Sequence, residues 1–310
     1  MLVSYAFFAR DDLGALRANM PCGRLLIDSG AFTAASVGKR IELSAYAEFL
    51  TTWAHVYDHA VTLDVIGDPV ATRRNTHALH RKGINVLPVF TRGGTVADFD
   101  AMVRDSGYVC VGGGVGMPPT VVVKRLRALQ VRAEELGGGI HALGVGNMTG
   151  LRSIRPYSAD ASNISGAFRF GTVVAYDGRR MFNVPVSDRA RLRKHLALLK
   201  DQGLGPEVTD LVRTGRQPVK LGRAALMRGM SVAYAAADED TVRFGVPVPK
   251  GVHDTSGTHL YSAVTGSHLA PAVARLDGAL HSGTFAPPMW QRRAARHRAQ
   301  CRAPLAQEAQ

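Results

Sequence analysis

Short apolar runs alternate with longer stretches of helical period over the first half of the chain. The runs are LVSYAFF (2–8), RLLIDSG (24–30), AVTLDVI (60–66), INVLPVF (84–90), YVCVGG (108–113), IHALGVG (140–146) and SADASNI (158–164). Between them, 43–57 repeats apolar residues at helical spacing, with Ser44 as its cap. The segment 68–83 starts Asp-Pro and stops at Gly83, 95–107 opens on a Thr cap, and 118–139 has Pro at its start and glycines at its end. Such punctuation predicts helices. The alternation predicts repeated βα units around a parallel sheet.

Seven strands of this kind predict an α/β fold, a (β/α)8 TIM-like barrel with an irregular or missing eighth unit, in preference to an open doubly wound sheet. After residue 165 the pattern changes. FRFGTVVAYDGRRMFNV reads as a β-hairpin around Asp177-Gly178, and a basic helix follows over 187–203. The expected organisation is a catalytic core over 1–185, a helical and mixed C-terminal extension over 186–290 packed on it, and a basic, disordered tail over 291–310.

Composition narrows the class. Of 310 residues 46% are apolar and 20% charged, an ordinary globular balance. No stretch has the roughly 20 apolar residues of a membrane span, so the expectation is a soluble chain without a membrane partner. The opening MLVSYAFFARDD lacks the basic and long apolar regions of a signal peptide, which predicts a cytoplasmic location. Cys22, Cys110 and Cys301 are too dispersed for a disulfide framework or a CxxC knuckle, and no structural zinc or other metal is expected. A net charge of +13 with a pI near 10.1 makes a polyanion, above all nucleic acid, the expected partner. Scattered solvated arginines would give the same balance.

In a parallel barrel the active site lies at the C-terminal ends of the strands. Asp28, Asp64 and Asp160 fall at such ends, as do Gly112 to Gly114, Gly144 and Gly146. Carboxylates converging there raise one another's pKa and suit nucleophile, general-base and recognition roles. Glycines let a flat ligand approach the backbone. The plainer alternative is that Asp28 and Asp64 cap the helices that follow them.

"LLIDSGAF", "TLDVIGDP", "VCVGGGVG", "HALGVGN" and "SADASN" follow the order and rough spacing of the motifs of tRNA-guanine transglycosylases. Over about residues 20 to 185 the chain most resembles the shorter deazapurine DNA modification transglycosylases often carried by phages. The resemblance implies exchange of guanine in DNA for a 7-deazaguanine, such as 7-cyano-7-deazaguanine, with tRNA as the alternative polymer. It implies Asp160 as the nucleophile at C1′ and Asp28 as general acid/base. Ser29 and Asp64 would bind the base, and Gly113, Gly114, Gly144 and Gly146 would lie along it. Retaining glycoside hydrolysis uses the same residue types, one carboxylate trapping an oxocarbenium-like sugar and another moving protons.

The chain departs from the tRNA enzymes in two places. It lacks their clustered cysteine and histidine zinc site, which favours DNA, and Phe90 stands where they often carry a base-binding glutamine. Phe90 could stack on the purine or be core at a strand end. Arg152, Arg155, Arg169, Arg179 and Arg180, around the nucleophile and the hairpin, are the candidate phosphate contacts.

Other constellations remain. His77 with His80, and His55 with His59, have helical metal-ligand spacing but no third ligand nearby. GGGVGMPP offers a phosphate cradle and hence a nucleotide-cofactor barrel, although it is not GxGxxG. A non-catalytic nucleic-acid-binding protein, using helix 187–203 and the tail, is the rival from another class.

Overall fold

The computed structural model describes residues 1–18, 24–161, 172–204, 209, 233–234, 236–238, 240–241, 244–252 and 259–264. In chain order the strands are β1 (Leu2–Ser4), β2 (Leu26–Asp28), β3 (His59–Ala60), β4 (Val89–Phe90), β5 (Tyr108–Val111), β6 (Gly139–Ala142), β7 (Ser158–Ala161), β8 (Thr172–Tyr176), β9 (Met181–Pro185) and β10 (His259–Val264). The helices that position the site are α1 (Tyr5–Phe8), α2 (Leu13–Ala18), α3 (Ala31–Ser36), α4 (Leu43–Thr52), α5 (Pro69–Arg81), α6 (Val96–Ser106), α7 (Pro119–Glu135) and α8 (Met148–Ile154).

The fold is mixed α/β around an eight-stranded sheet in the order β3-β2-β1-β10-β7-β6-β5-β4, parallel at every neighbouring pair. The two ends of that order also meet. Leu87 N–H donates to Ala60 O at 2.7 Å, Thr62 N–H donates to Leu87 O at 3.0 Å, and Val61 and Leu87 form a parallel bridge.

Strand period sorts the side chains. On one face Val3, Ile27, Ala60, Phe90, Val109, Val111, Ile140, Ala142 and Ala159 join the main core with residues from the helices, such as Tyr46, Leu50, Leu79, Phe99 and Leu126. On the other face Leu2, Leu26, Val61, Val89, Cys110 and Tyr261 form a separate buried cluster. Both faces of the sheet are therefore covered, as parallel strands require.

Local sequence sets the connections. Asp68 caps α5 by accepting the Ala71 N–H at 2.9 Å with Pro69 in the first turn, and Thr95 with Asp98 forms a capping box on α6. The hairpin is present as the antiparallel pair β8 and β9. The cap of α4 is Glu42, one residue outside the helix, rather than Ser44. The first strand ends at Ser4, because Tyr5 already turns helical and packs edge-on against Tyr46 and Phe49.

The boundary at residue 185 does not hold for the sheet. β10 comes from the segment read as an extension and lies between β1 and β7, pairing Tyr261 with Asp160 and Leu2 with Ala263. Arg169, residues 162–164 of the SADASNI run and the tail 291–310 lie outside the described residues. Among the described residues no helix is long and apolar enough to cross a membrane.

Candidate active site

β2 runs Leu26, Ile27, Asp28, so the period that buries Leu26 in the smaller cluster sends Asp28 to the same face, at the strand's C-terminal end. The chain then turns sharply. Gly30 has φ +74° and caps α3, and a Cβ there would stand 2.3 Å from Ser4 Oγ and 2.5 Å from Ala6 Cβ. Only glycine fits. Its N–H donates to Asp28 Oδ2 at 2.8 Å.

Ser29 is fully buried and donates its hydroxyl to Asp64 Oδ1 at 3.2 Å, which ties the end of β2 to the segment after β3. Asp160 comes from β7, and its Oδ1 accepts the Gly144 N–H at 2.7 Å from the turn after β6. Asp28, Asp64 and Asp160, from three separate strand ends, thus stand at one end of the sheet.

Their electrostatics are coupled. Burial, then the charges of Asp64 and Asp160, push the Asp28 carboxyl up to about 7, against the opposing pull of the Gly30 N–H and the Ser4 hydroxyl. Burial also raises Asp64, and the Ser29 hydroxyl partly offsets it. Cys110 is held as a neutral thiol by burial and by the charges of Asp28, Asp160 and Asp64. A carboxyl poised near neutrality can both give and take a proton, the requirement for a general acid/base.

A cleft of about 560 Å³ opens beside Asp64. Its inner wall carries Leu63 and Asn75, and its outer part carries Lys39, Arg40 and Arg74 together with Glu42 and Asp68. Lys39, Arg40 and Arg74 are exposed. Phe32, in the first turn of α3 next to Asp28, presents a ring that is 53% exposed.

The other sequence candidates divide. Gly113, with φ +77°, and Gly114 follow β5, and Gly144 and Gly146 follow β6, all at the carboxylate end. Phe90 is not there. Its neighbour Val89 takes the site-side face, so Phe90 points to the helices and packs 5.1 Å edge-on against Phe99, with the Arg125 guanidinium 5.6 Å from its ring. A base-stacking role is thereby corrected to a core role.

Arg152 and Arg155 are also elsewhere. α8 leads from the end of β6 back to the start of β7, so Arg155 caps it at the far end of the sheet and donates to Phe244 O. Arg152 donates to the Tyr176 hydroxyl and to Gly178 O. Both are exposed and also make these contacts within the chain. Arg179 and Arg180 sit in the hairpin turn, where their backbone N–H groups donate to Asp177 Oδ1.

Among the described residues no group of three or more His, Cys, Asp and Glu side chains is arranged to hold a metal. His80 Nε2 instead lies 3.1 Å from Val86 O, and His59 stacks edge-on against Tyr108.

Sequence reasoning missed His141, which is fully buried with Nε2 3.3 Å from Asp160 Oδ1. The period of two along HAL and SAD was the available signal, since it sets His141 and Asp160 on one face. Lys39, Arg40 and Arg74 had no such signal. No family model matches the chain, and no curated protein matches it.

Proposed function

We propose that the chain is a transglycosylase that exchanges guanine in DNA for a 7-deazaguanine through a covalent aspartyl-nucleotide. The observation that carries this reading is the convergence of Asp28, Asp64 and Asp160 from three strand ends, with Ser29 on Asp64 and the Gly144 N–H on Asp160; burial and the two neighbouring charges then raise the Asp28 carboxyl to about 7. The order of the five motifs adds to it. The same reading takes the sheet to be a (β/α)8 barrel, closed through the Ala60–Thr62 and Leu87 backbone bonds, with the carboxylates at its C-terminal mouth.

In the first half-reaction an Asp160 carboxylate oxygen bonds to C1′ as the C1′–N9 bond of guanine breaks. The bond's electron pair leaves with the purine, and protonated Asp28 supplies the proton that neutralises it. In the second half, N9 of the incoming 7-deazaguanine bonds to C1′, its N9 proton passes to Asp28, and the Asp160 carboxylate is released. Proton and electron counts return to their starting values. Asp64, oriented by Ser29, accepts from the N–H edge of the base, and the exposed Phe32 ring offers a stacking surface. The cleft carrying Lys39, Arg40 and Arg74 takes the backbone of a strand whose target nucleotide is turned out of the stack.

Incorporation of labelled guanine into duplex DNA and, in parallel, into unmodified tRNA tests the proposal. Label in DNA that is lost with Asp160→Asn is the expected result. Label in tRNA alone reassigns the polymer, and label in neither overturns base exchange.

A further inference from the structure

We propose that the outer face of α5 binds the phosphate backbone of nucleic acid and carries the strand onward from the cleft beside Asp64. Charge, shape and the order of residues along one helix support it, whether or not the carboxylates exchange bases.

Helical period sorts α5 into two faces. Thr72, Thr76 and Leu79 turn inward and are buried. Val70, Arg73, Arg74, His77, His80 and Arg81 turn outward, are exposed, and line a groove of about 710 Å³. Arg74 also lines the cleft of about 560 Å³ beside Asp64, so the two hollows share a wall. From Arg74 to Arg81 the face runs about 10 Å, the axial length of about three nucleotides of one strand.

A helix that merely faces water interleaves both signs, as α7 does where Arg132 meets Glu135 and Asp100. α5 does not. Residues 69–97 include Arg73, Arg74, Arg81, Lys82 and Arg92 and no Asp or Glu. The acids at either end are committed: Asp68 accepts the Ala71 N–H as the cap, while Asp98 pairs with Arg73 at 2.6 Å and accepts from the Thr95 hydroxyl. Among the described residues Arg74 and Arg81 pair with no carboxylate, so their charge faces outward uncompensated. His77 stands between them, one turn from each, and adds an imidazole donor. His80 gives its Nε2–H to Val86 O at 3.1 Å.

The lining selects the occupant. An anionic membrane surface engages a helix through a broad apolar face set beside its cations. Here the apolar face of α5 is turned inward, and among the described residues Val70 is the one apolar side chain that lines the groove. A row of cations that opens into a second basic cleft matches a chain of regularly spaced phosphates.

Charge reversal on the full chain tests this. Affinity for a labelled oligonucleotide, single-stranded and as a duplex, is measured from low to high salt for the wild type, Arg81→Glu, His77→Glu and Lys124→Glu. Lys124 is exposed on α7, two helices on, and its reversal changes net charge by as much as that of Arg81. Arg81→Glu is expected to weaken binding about 10-fold at about 50 mM salt and to reduce the slope of log K against log salt by about 1. His77→Glu should weaken binding in the same direction, and Lys124→Glu should change it less than about 2-fold, since a screened charge away from the strand contributes little. The replaced side chains are exposed, so the variants keep the fold. Equal losses in Arg81→Glu and Lys124→Glu mean that net charge alone attracts the polymer, and they overturn the face as a site. Unchanged affinity in Arg81→Glu overturns it too, as does a wild type that binds neither oligonucleotide. Binding to vesicles of phosphatidylserine and phosphatidylcholine that Arg81→Glu abolishes, with oligonucleotide affinity untouched, reassigns the face to a membrane surface. A wild type that holds the oligonucleotide through α5 and exchanges no base overturns the transglycosylase reading alone.

Discussion

Gly144 donates its backbone N–H to Asp160 Oδ1 at 2.7 Å from a left-handed turn, φ +74°, that begins where β6 ends. One strand's exit thereby fixes the side chain of the next strand. The same device recurs at Gly30 and Asp28, within a single turn, at 2.8 Å.

The two glycines should respond differently to a methyl group. At Gly144 no atom lies within 4 Å of an added Cβ, so Gly144→Ala meets only backbone strain, about 1 kcal/mol. At Gly30 the Cβ collides with Ser4 and Ala6 as well. Urea unfolding should show Gly30→Ala losing at least about 2 kcal/mol more than Gly144→Ala. Equal losses would mean the β2 turn is not as tight as described.

Asp28 makes stability depend on pH in an identifiable window. Its carboxyl is raised from 3.8 to about 7 on folding, so between those values the unfolded chain has released a proton that the folded chain keeps. Stability from this group is full below about pH 4, declines as pH rises toward 7, and is level above. Asp28→Asn should therefore stabilise the protein at pH 8, by about 2–4 kcal/mol, and flatten the profile between pH 4 and 7. Thermal unfolding across that range checks it. The same variant should lose base exchange, and in the wild type the rate of adduct formation should fall above about pH 7 as the acid form disappears.

Phosphate binding should follow the cleft and not the arginines near β7. Replacing Arg40 and Arg74 together by Ala should weaken nucleic-acid binding and reduce the slope of log K against log salt by about 1 for each arginine. Arg152→Ala, by contrast, cuts bonds to Tyr176 and Gly178 and should cost stability while leaving the salt slope unchanged. Binding titrations from low to high salt distinguish the two. The reverse pattern would move the strand to the hairpin side.

Phe90→Ala should behave as a core truncation. The ring packs on Phe99 under Arg125, so the expected loss is about 3–5 kcal/mol, with KM for the purine base unchanged in the folded fraction. A selective rise in KM with stability intact would restore the base-stacking role.

Local chemistry made much of this readable. The βα alternation, the Asp68 and Thr95 caps, the Asp177-Gly178 hairpin and the arrest of β2 on Asp28 all depend on residues within a few positions of one another. The extent of the first strand was less readable, because Tyr5 turns helical and packs on Tyr46 and Phe49, outside its own segment.

By itself the sequence determined that the strands are parallel, that their ends carry Asp28, Asp64 and Asp160, and that the surface is cationic, since period, punctuation and charge are properties of short stretches. Tertiary structure alone decided that β10 lies between β1 and β7, that Phe90 faces the helices, and that Arg152 and Arg155 are occupied at the far end of the sheet. It alone set His141 against Asp160. Each of these depends on register between segments remote in the chain, and register follows from how two faces of one sheet are filled at once.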